Sequence, residues 1–169
     1  MAKLVTTKFK IHNAEQFIES LEETSATNLY LFIGKVQEWD DEDAPPAPNE
    51  AVANTLYSYW DQIIAAKKVT PADVKHVITR TNWESNTAYT AYTHTNPEQL
   101  SNSFYVTTED LNIYKCLQNN LSNGTSTIQP TGTGSAVIEV ADGYKWKYMY
   151  TVTSQDTLKF VTTEYIPVQ

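Results

Sequence analysis

Apolar residues along this 169-residue chain alternate, cluster and recur at helical spacing in separate stretches, and each stretch predicts an element. From Leu4 to Ile11, Val5, Thr7, Phe9 and Ile11 alternate with Thr6, Lys8 and Lys10, the period-two signature of a half-buried strand. Asn13 is a good N-cap with Gln16 three residues on. Phe17, Ile18 and Leu21 then fall on one stripe, which predicts a short helix over about 13–23. Asn28 to Gly34 is a continuous apolar run closed by glycine and reads as a buried central strand. The strongest helical signal covers about 50–68, where Val52, Leu56, Tyr59, Trp60, Ile63 and Ile64 share one face behind the cap Asn49. Lys67 and Lys68 suit its C-terminal dipole end. That face is expected in the core, with Trp60 and Ile63 buried.

The remainder reads mainly as strand. Thr70-Pro71-Ala72-Asp73 is a capped single turn with proline at its first position. Short strands are predicted at Val74–Thr79, Phe104–Thr107, Asn112–Leu117, Ala136–Val140, Tyr144–Val152 and Tyr165–Val168, with a helical turn at Thr157–Val161. On the longest of them, Tyr144, Trp146, Tyr148, Tyr150 and Val152 are expected on one face, and Lys145, Lys147 and Thr151 on the other. The turn before it decides the register. A two-residue loop at Asp142-Gly143 would place Ile138 and Val140 among the lysines. A three-residue loop, Ala141-Asp142-Gly143, pairs Val140 with Tyr144 and Ile138 with Trp146, so the apolar side chains share a face and Glu139 joins the lysines. That form needs a left-handed residue, which Gly143 supplies.

Between these elements lie the acidic, proline-rich segment 38–48, a long polar and aromatic loop over 81–103, and a loop of Asn, Ser, Gly, Thr and Pro over 119–134. No internal repeat or linker divides the chain. The pattern is that of one domain over 1–169, α+β and mainly β, with helices of about 13–23 and 50–68 placed in connections.

Charge narrows the partners. The net charge is −8 and Arg80 is the sole arginine, which disfavours nucleic acid and anionic membrane surfaces. Cys116 is the sole cysteine, so no internal disulfide is available. The N-terminal residues carry no apolar stretch of the secretory kind and no run approaches membrane-spanning length, so a cytosolic site of synthesis is expected. His12, His76 and His94 form no metal spacing, and no metal or cofactor is expected. Asp40-Asp41-Glu42-Asp43 has no central glycine and is followed by prolines, which makes it a solvated turn rather than a calcium loop. Cys116, between Lys115 and Leu117 on a strand, reads as a buried inert thiol. No nucleophile elbow or phosphate loop is present, and no catalytic residue is assigned. Eleven tyrosines and four tryptophans in a chain so poor in glycine instead suggest contact surfaces. Trp39 with Pro45 and Pro46, and Tyr89 with Tyr92 in the second long loop, are the candidate subunit contacts. A carbohydrate-binding or adhesin-type β module is the alternative reading.

The ordered set of motifs resembles one family, the gene-eight baseplate wedge subunits of contractile-tailed, myovirus-type bacteriophages, including the cyanophage relatives. The set runs from Asn28–Gly34 through Trp39, Pro45-Pro46 and Trp60 to Val74–Ile78, Arg80, Trp83 and Tyr92. It continues with Phe104-Tyr105-Val106, Ile113–Leu117, Pro130-Thr131-Gly132, Asp142–Tyr148 and Ile166-Pro167-Val168. The likeness covers about residues 4–168. It implies an antiparallel β-sandwich-like fold with helices in its loops, and a homodimer in contact with other baseplate wedge proteins. It further implies a place in the virion tail baseplate after assembly in the host bacterial cytoplasm, with no catalytic residue or cofactor. The known relatives are longer, so the chain is read as a minimal version or as an N-terminal portion of such a relative.

Overall fold

The computed structural model describes residues 6–25, 27–34, 40, 41, 43–45, 47, 52–95, 103–120 and 124–169. Among the described residues, three helices and eight strands make the protein α+β with strand in excess, and each of the three sheets they form is antiparallel. The chain divides into two compact units: Lys8–Val74, and Met1–Thr7 together with Lys75–Gln169.

In the Lys8–Val74 unit, helix α1 spans Thr7–Glu22, so the expected first strand is overturned from Thr7 onward. Ile11, Ala14, Ile18 and Leu21 recur at spacings of three and four, a helical stripe that runs back through the alternating stretch. Adding residues to a helix already nucleated gains a hydrogen bond each, whereas a lone strand needs a partner. Strand β1 (Tyr30–Ile33) pairs antiparallel with β2 (Ala65–Lys68), with Tyr30 opposite Lys68 and Ile33 opposite Ala65. Helix α2 therefore stops at Asp61, after starting at Val52, well short of the expected residue 68. The β-branched Ile63 and Ile64 leave the helix, and Ile64 N–H donates to Ile33 O (2.9 Å) as the ladder begins. Gly34 makes the approach possible, because a Cβ there would collide with the Gln62 backbone. Lys67 does not serve a helix end; it pairs with Asp73. The single turn Pro71–Asp73 forms as its sequence predicts, the Asp73 carboxylate accepting from Thr70 N–H (3.1 Å) and Oγ1 (2.7 Å). β1 is far from a buried central strand: its four side chains are 49–64% exposed. Among the described side chains of this unit, Leu21 is the one buried apolar group.

The other unit is built on a four-stranded sheet of order β4-β5-β7-β6, where β4 is Tyr105–Thr107, β5 Asn112–Gln118, β6 Val137–Glu139 and β7 Lys145–Thr151. Strands β3 (Val77–Thr79) and β8 (Tyr165–Pro167) form a separate ribbon. Helix α3, Ser154–Phe160, is capped by Thr153, whose Oγ1 accepts from Asp156 N–H. Lys75 reaches the Asp156 carboxylate at 2.8 Å.

Each face of the sheet carries a core. On one, Val106, Tyr114, Cys116, Tyr144 and Trp146 pack with Tyr89 from the long loop; on the other, Ile113 and Val152 pack with Ile166 of β8 and Ile78 of β3. The β6–β7 hairpin has the three-residue loop: Ile138 lies opposite Trp146 and Glu139 opposite Lys145, Val140 N–H donates to Tyr144 O, and Gly143 has φ 86°. The aromatic face of β7 does not run unbroken, however. Ile113 pairs with Tyr150 but Tyr114 with Tyr148, so Met149 is an extra residue. That bulge turns Tyr150 and Val152 onto the opposite face from Tyr144, Trp146 and Tyr148. The same pattern of polar and apolar residues thereby fills both cores from one strand.

The described part of the second long loop is ordered by the sheet. Asn82 bridges Thr107 in parallel, and Thr87 bridges Ser126. Trp83 Nε1–H donates to Ser126 Oγ (3.1 Å).

Candidate interaction surfaces

Cys116 lies wholly inside the first core, where burial pushes its thiol up to about 12, so a thiolate nucleophile is strongly disfavoured there. His12, His76 and His94 are exposed, and among the described residues no cluster of His, Cys, Asp or Glu is arranged to hold a metal. The guanidinium of Arg80 is engaged within the chain, with Nε–H on Asn82 Oδ1 (2.8 Å) and an NH1 hydrogen on Thr162 O (3.1 Å). It borders a crevice of about 330 Å³ with Trp83, Glu84 and Glu109. No helix among the described residues is long and apolar enough to cross a membrane.

Asp142 is a polar hub missed in the sequence beyond its role as a turn residue. Its Oδ2 accepts from Thr127 N–H (2.7 Å), Ile128 N–H (2.9 Å) and Ser126 Oγ (3.3 Å), and its Oδ1 from Tyr144 N–H (3.1 Å). Burial acts to raise its pKa. The backbone donors of Ile128, Thr127 and Tyr144, with the Ser126 hydroxyl, more than offset that and hold the carboxyl below its ordinary value. Asp156 is lowered as well, first by Lys75.

The five candidate contact residues have different fates. Trp39 and Pro46 lie outside the described residues, and Pro45 is exposed. Tyr89 is corrected from a surface contact to a core residue: it is 3% exposed, and its ring meets Tyr144 and Trp146 edge-on at 6.4 and 5.5 Å. Its hydroxyl accepts from Glu84 N–H at 2.7 Å, which ties the loop down from inside. Sequence could not separate the two roles, because a tyrosine in an aperiodic loop has no face until the loop is folded. Tyr92 is 39% exposed, beside Phe104 (5.4 Å) and beneath the Lys115 ammonium, 4.2 Å from the ring centre.

Two apolar surfaces that the sequence did not announce stand out. In the Lys8–Val74 unit, Tyr30 to Ile33 and, on α2, Leu56, Tyr57, Tyr59 and Trp60 are all exposed. Trp60, expected in the core, is 65% exposed, and Ile63 is half-buried. The amphipathic stripe is real, but nothing among the described residues of this unit covers it. In the sheet unit, an apolar groove of about 400 Å³ opens between the β3–β8 ribbon and the four-stranded sheet, lined by Val77, Tyr105, Ile113, Met149, Tyr150 and Tyr165 among others.

Exposed apolar surfaces of this extent mark candidate contact sites. A family profile described as "Bacteriophage T4, Gp8" matches residues 3–120 and 114–169. The "Baseplate wedge protein gp8" of Enterobacteria phage T4 is 25% identical over 201 aligned positions, which take in 98% of this chain and 60% of that protein. The chain thus spans about 60% of the length of the curated relative it matches. With the profile matched along nearly its whole length, the chain belongs to the Phage-Gp8 family.

Proposed function

We propose that the protein is a structural subunit of a phage tail baseplate wedge, assembling through protein–protein contacts and catalysing nothing. The observation that carries this reading is the family match, which runs through both compact units and supports treating residues 1–169 as a single wedge module. Large exposed apolar patches on a soluble chain mark surfaces meant for partners, and the uncovered faces of β1 and α2 fit that rule. The partners are other baseplate wedge proteins and a second copy of the chain. No nucleic acid, membrane or cofactor takes part. Trp39, Pro45, Pro46 and Tyr92 are the contact residues favoured by the sequence, since prolines pre-order a segment and lower the entropy cost of docking. The site of action is the tail baseplate of the virion, after assembly in the host cytoplasm.

A tagged copy supplied during infection tests the proposal. Incorporation into purified tails, at the baseplate end in a cryo-EM map, is the expected result. A chain that stays out of the tails, or that binds glycans in a screen while leaving wedge proteins alone, overturns it.

A further inference from the structure

The groove between the β3–β8 ribbon and the sheet has an unusual neighbour. Lys115 of β5 stands directly opposite Lys147 of β7, on the same sheet face as Ile113 at the groove floor. Like charges directly opposite one another across strands destabilise a sheet. Among the described residues neither lysine has a carboxylate partner: Lys145 takes Glu139, Lys75 takes Asp156 and Lys67 takes Asp73. Lys115 rests instead on the Tyr92 ring, and Lys147 donates to Ser135 O. Both are half-buried, in a chain of net charge −8 where acids are plentiful. Lys115 lines the groove and Lys147 stands opposite it on the same sheet face, and with no carboxylate on either among the described residues the two ammonium groups are complementary to an anion that carries an apolar neighbour.

Resting on the reading of the protein as an assembly subunit, we propose that this groove receives an extended segment of a partner protein. One aliphatic side chain of that segment enters between Val77, Ile113, Met149 and Tyr165, and an adjacent carboxylate bridges Lys115 and Lys147. The slot is sized for a side chain or two rather than for a domain, and its rim residues Val77, Met149 and Tyr165 are left partly exposed for the backbone that follows. The carboxylate fixes the orientation, and the apolar contact supplies most of the affinity.

The chain has two methionines, Met1 and Met149, so a ¹³C-methyl methionine spectrum reports the groove through one resonance with the other as an internal control. The probe is the blocked peptide acetyl-Ser-Gly-Ile-Asp-Gly-Ser-amide, titrated into the full chain. The expected result is a saturable shift of Met149 alone, with Kd on the order of 1 mM. Replacing the Asp of the peptide by Asn is expected to weaken binding about fivefold, and Lys115→Gln or Lys147→Gln to abolish that preference. A Met149 signal unmoved at about 10 mM peptide, or equal binding of the Asp and Asn peptides, overturns the proposal. So does sodium laurate binding in preference to the peptide, which would make the groove a fatty-acid site. Incorporation of the same chain into tails is scored separately. A failed titration with intact incorporation removes the groove and leaves the wedge reading; a positive titration without incorporation does the reverse.

Discussion

Replacing Asp142 by Asn tests whether the turn before β7 is held by its carboxylate. In the parent the two oxygens accept three backbone N–H groups at 2.7–3.1 Å and one hydroxyl, joining the 126–128 segment to the hairpin. Hydrogen bonds to a charged group contribute roughly 1.5–3 kcal/mol each, but Thr127 and Ile128 are exposed, so their donors regain water when the carboxylate is lost. About 1 kcal/mol per backbone bond is a fair value there, and the amide keeps one acceptor, which leaves a loss of roughly 2 kcal/mol. For a chain of this size that lowers Tm by about 4–8 °C at neutral pH. The acid dependence carries a definite sign. The folded carboxyl is held below its ordinary value, so its contribution is complete above the unfolded pKa of about 4 and is lost as the pH falls through the folded value. Urea or thermal melts of parent and Asp142→Asn at pH 7, and again well below pH 4, provide the assay. The gap between them is expected to narrow in acid. A variant melting within about 1 °C of the parent at pH 7, or a gap that persists unchanged in acid, refutes the reasoning.

Three further outcomes follow from burial. Trp146→Ala, which empties the centre of the first core where the parent side chain is wholly buried, is expected to cost about 3–5 kcal/mol in a denaturant melt. Trp60→Ala is expected to leave the Tm of the isolated chain within about 2 °C of the parent, since the indole is already in water, while reducing incorporation into tails. Cys116 is expected to resist maleimide at pH 8 in the native protein and to react promptly in denaturant, as judged by mass spectrometry, because burial holds the thiol neutral and inaccessible.

Local rules read well where neighbours in sequence are also neighbours in space. The hairpin register at Val137–Lys147 followed from alternation and one glycine, because a slip of a single residue would have moved Ile138 and Glu139 to the wrong faces. The turn at Pro71–Asp73 followed from its cap and proline. The inert thiol followed from its place mid-strand. The family, too, was legible from the order of motifs, and the profile match along both parts of the chain agrees.

Tertiary pairing decided the rest. Ala65–Lys68 carries residues that suit a helix, yet it became β2 because Tyr30–Ile33 was there to pair with it and Gly34 let the backbones meet. Thr7–Ile11 fits a period of two and also a helical stripe, and it joined α1, the element beside it. The bulge at Met149 sent Tyr150 and Val152 to a second core that no alternation in the sequence foretold. Sequence alone determined which side chains are amphipathic and where the chain turns, since those depend on contacts a few residues apart. It could not tell a stripe that will be buried from one left open for a partner: Tyr89 went inside and Trp60 stayed outside because burial is set by what packs opposite, and that is a property of the folded surface rather than of the residue.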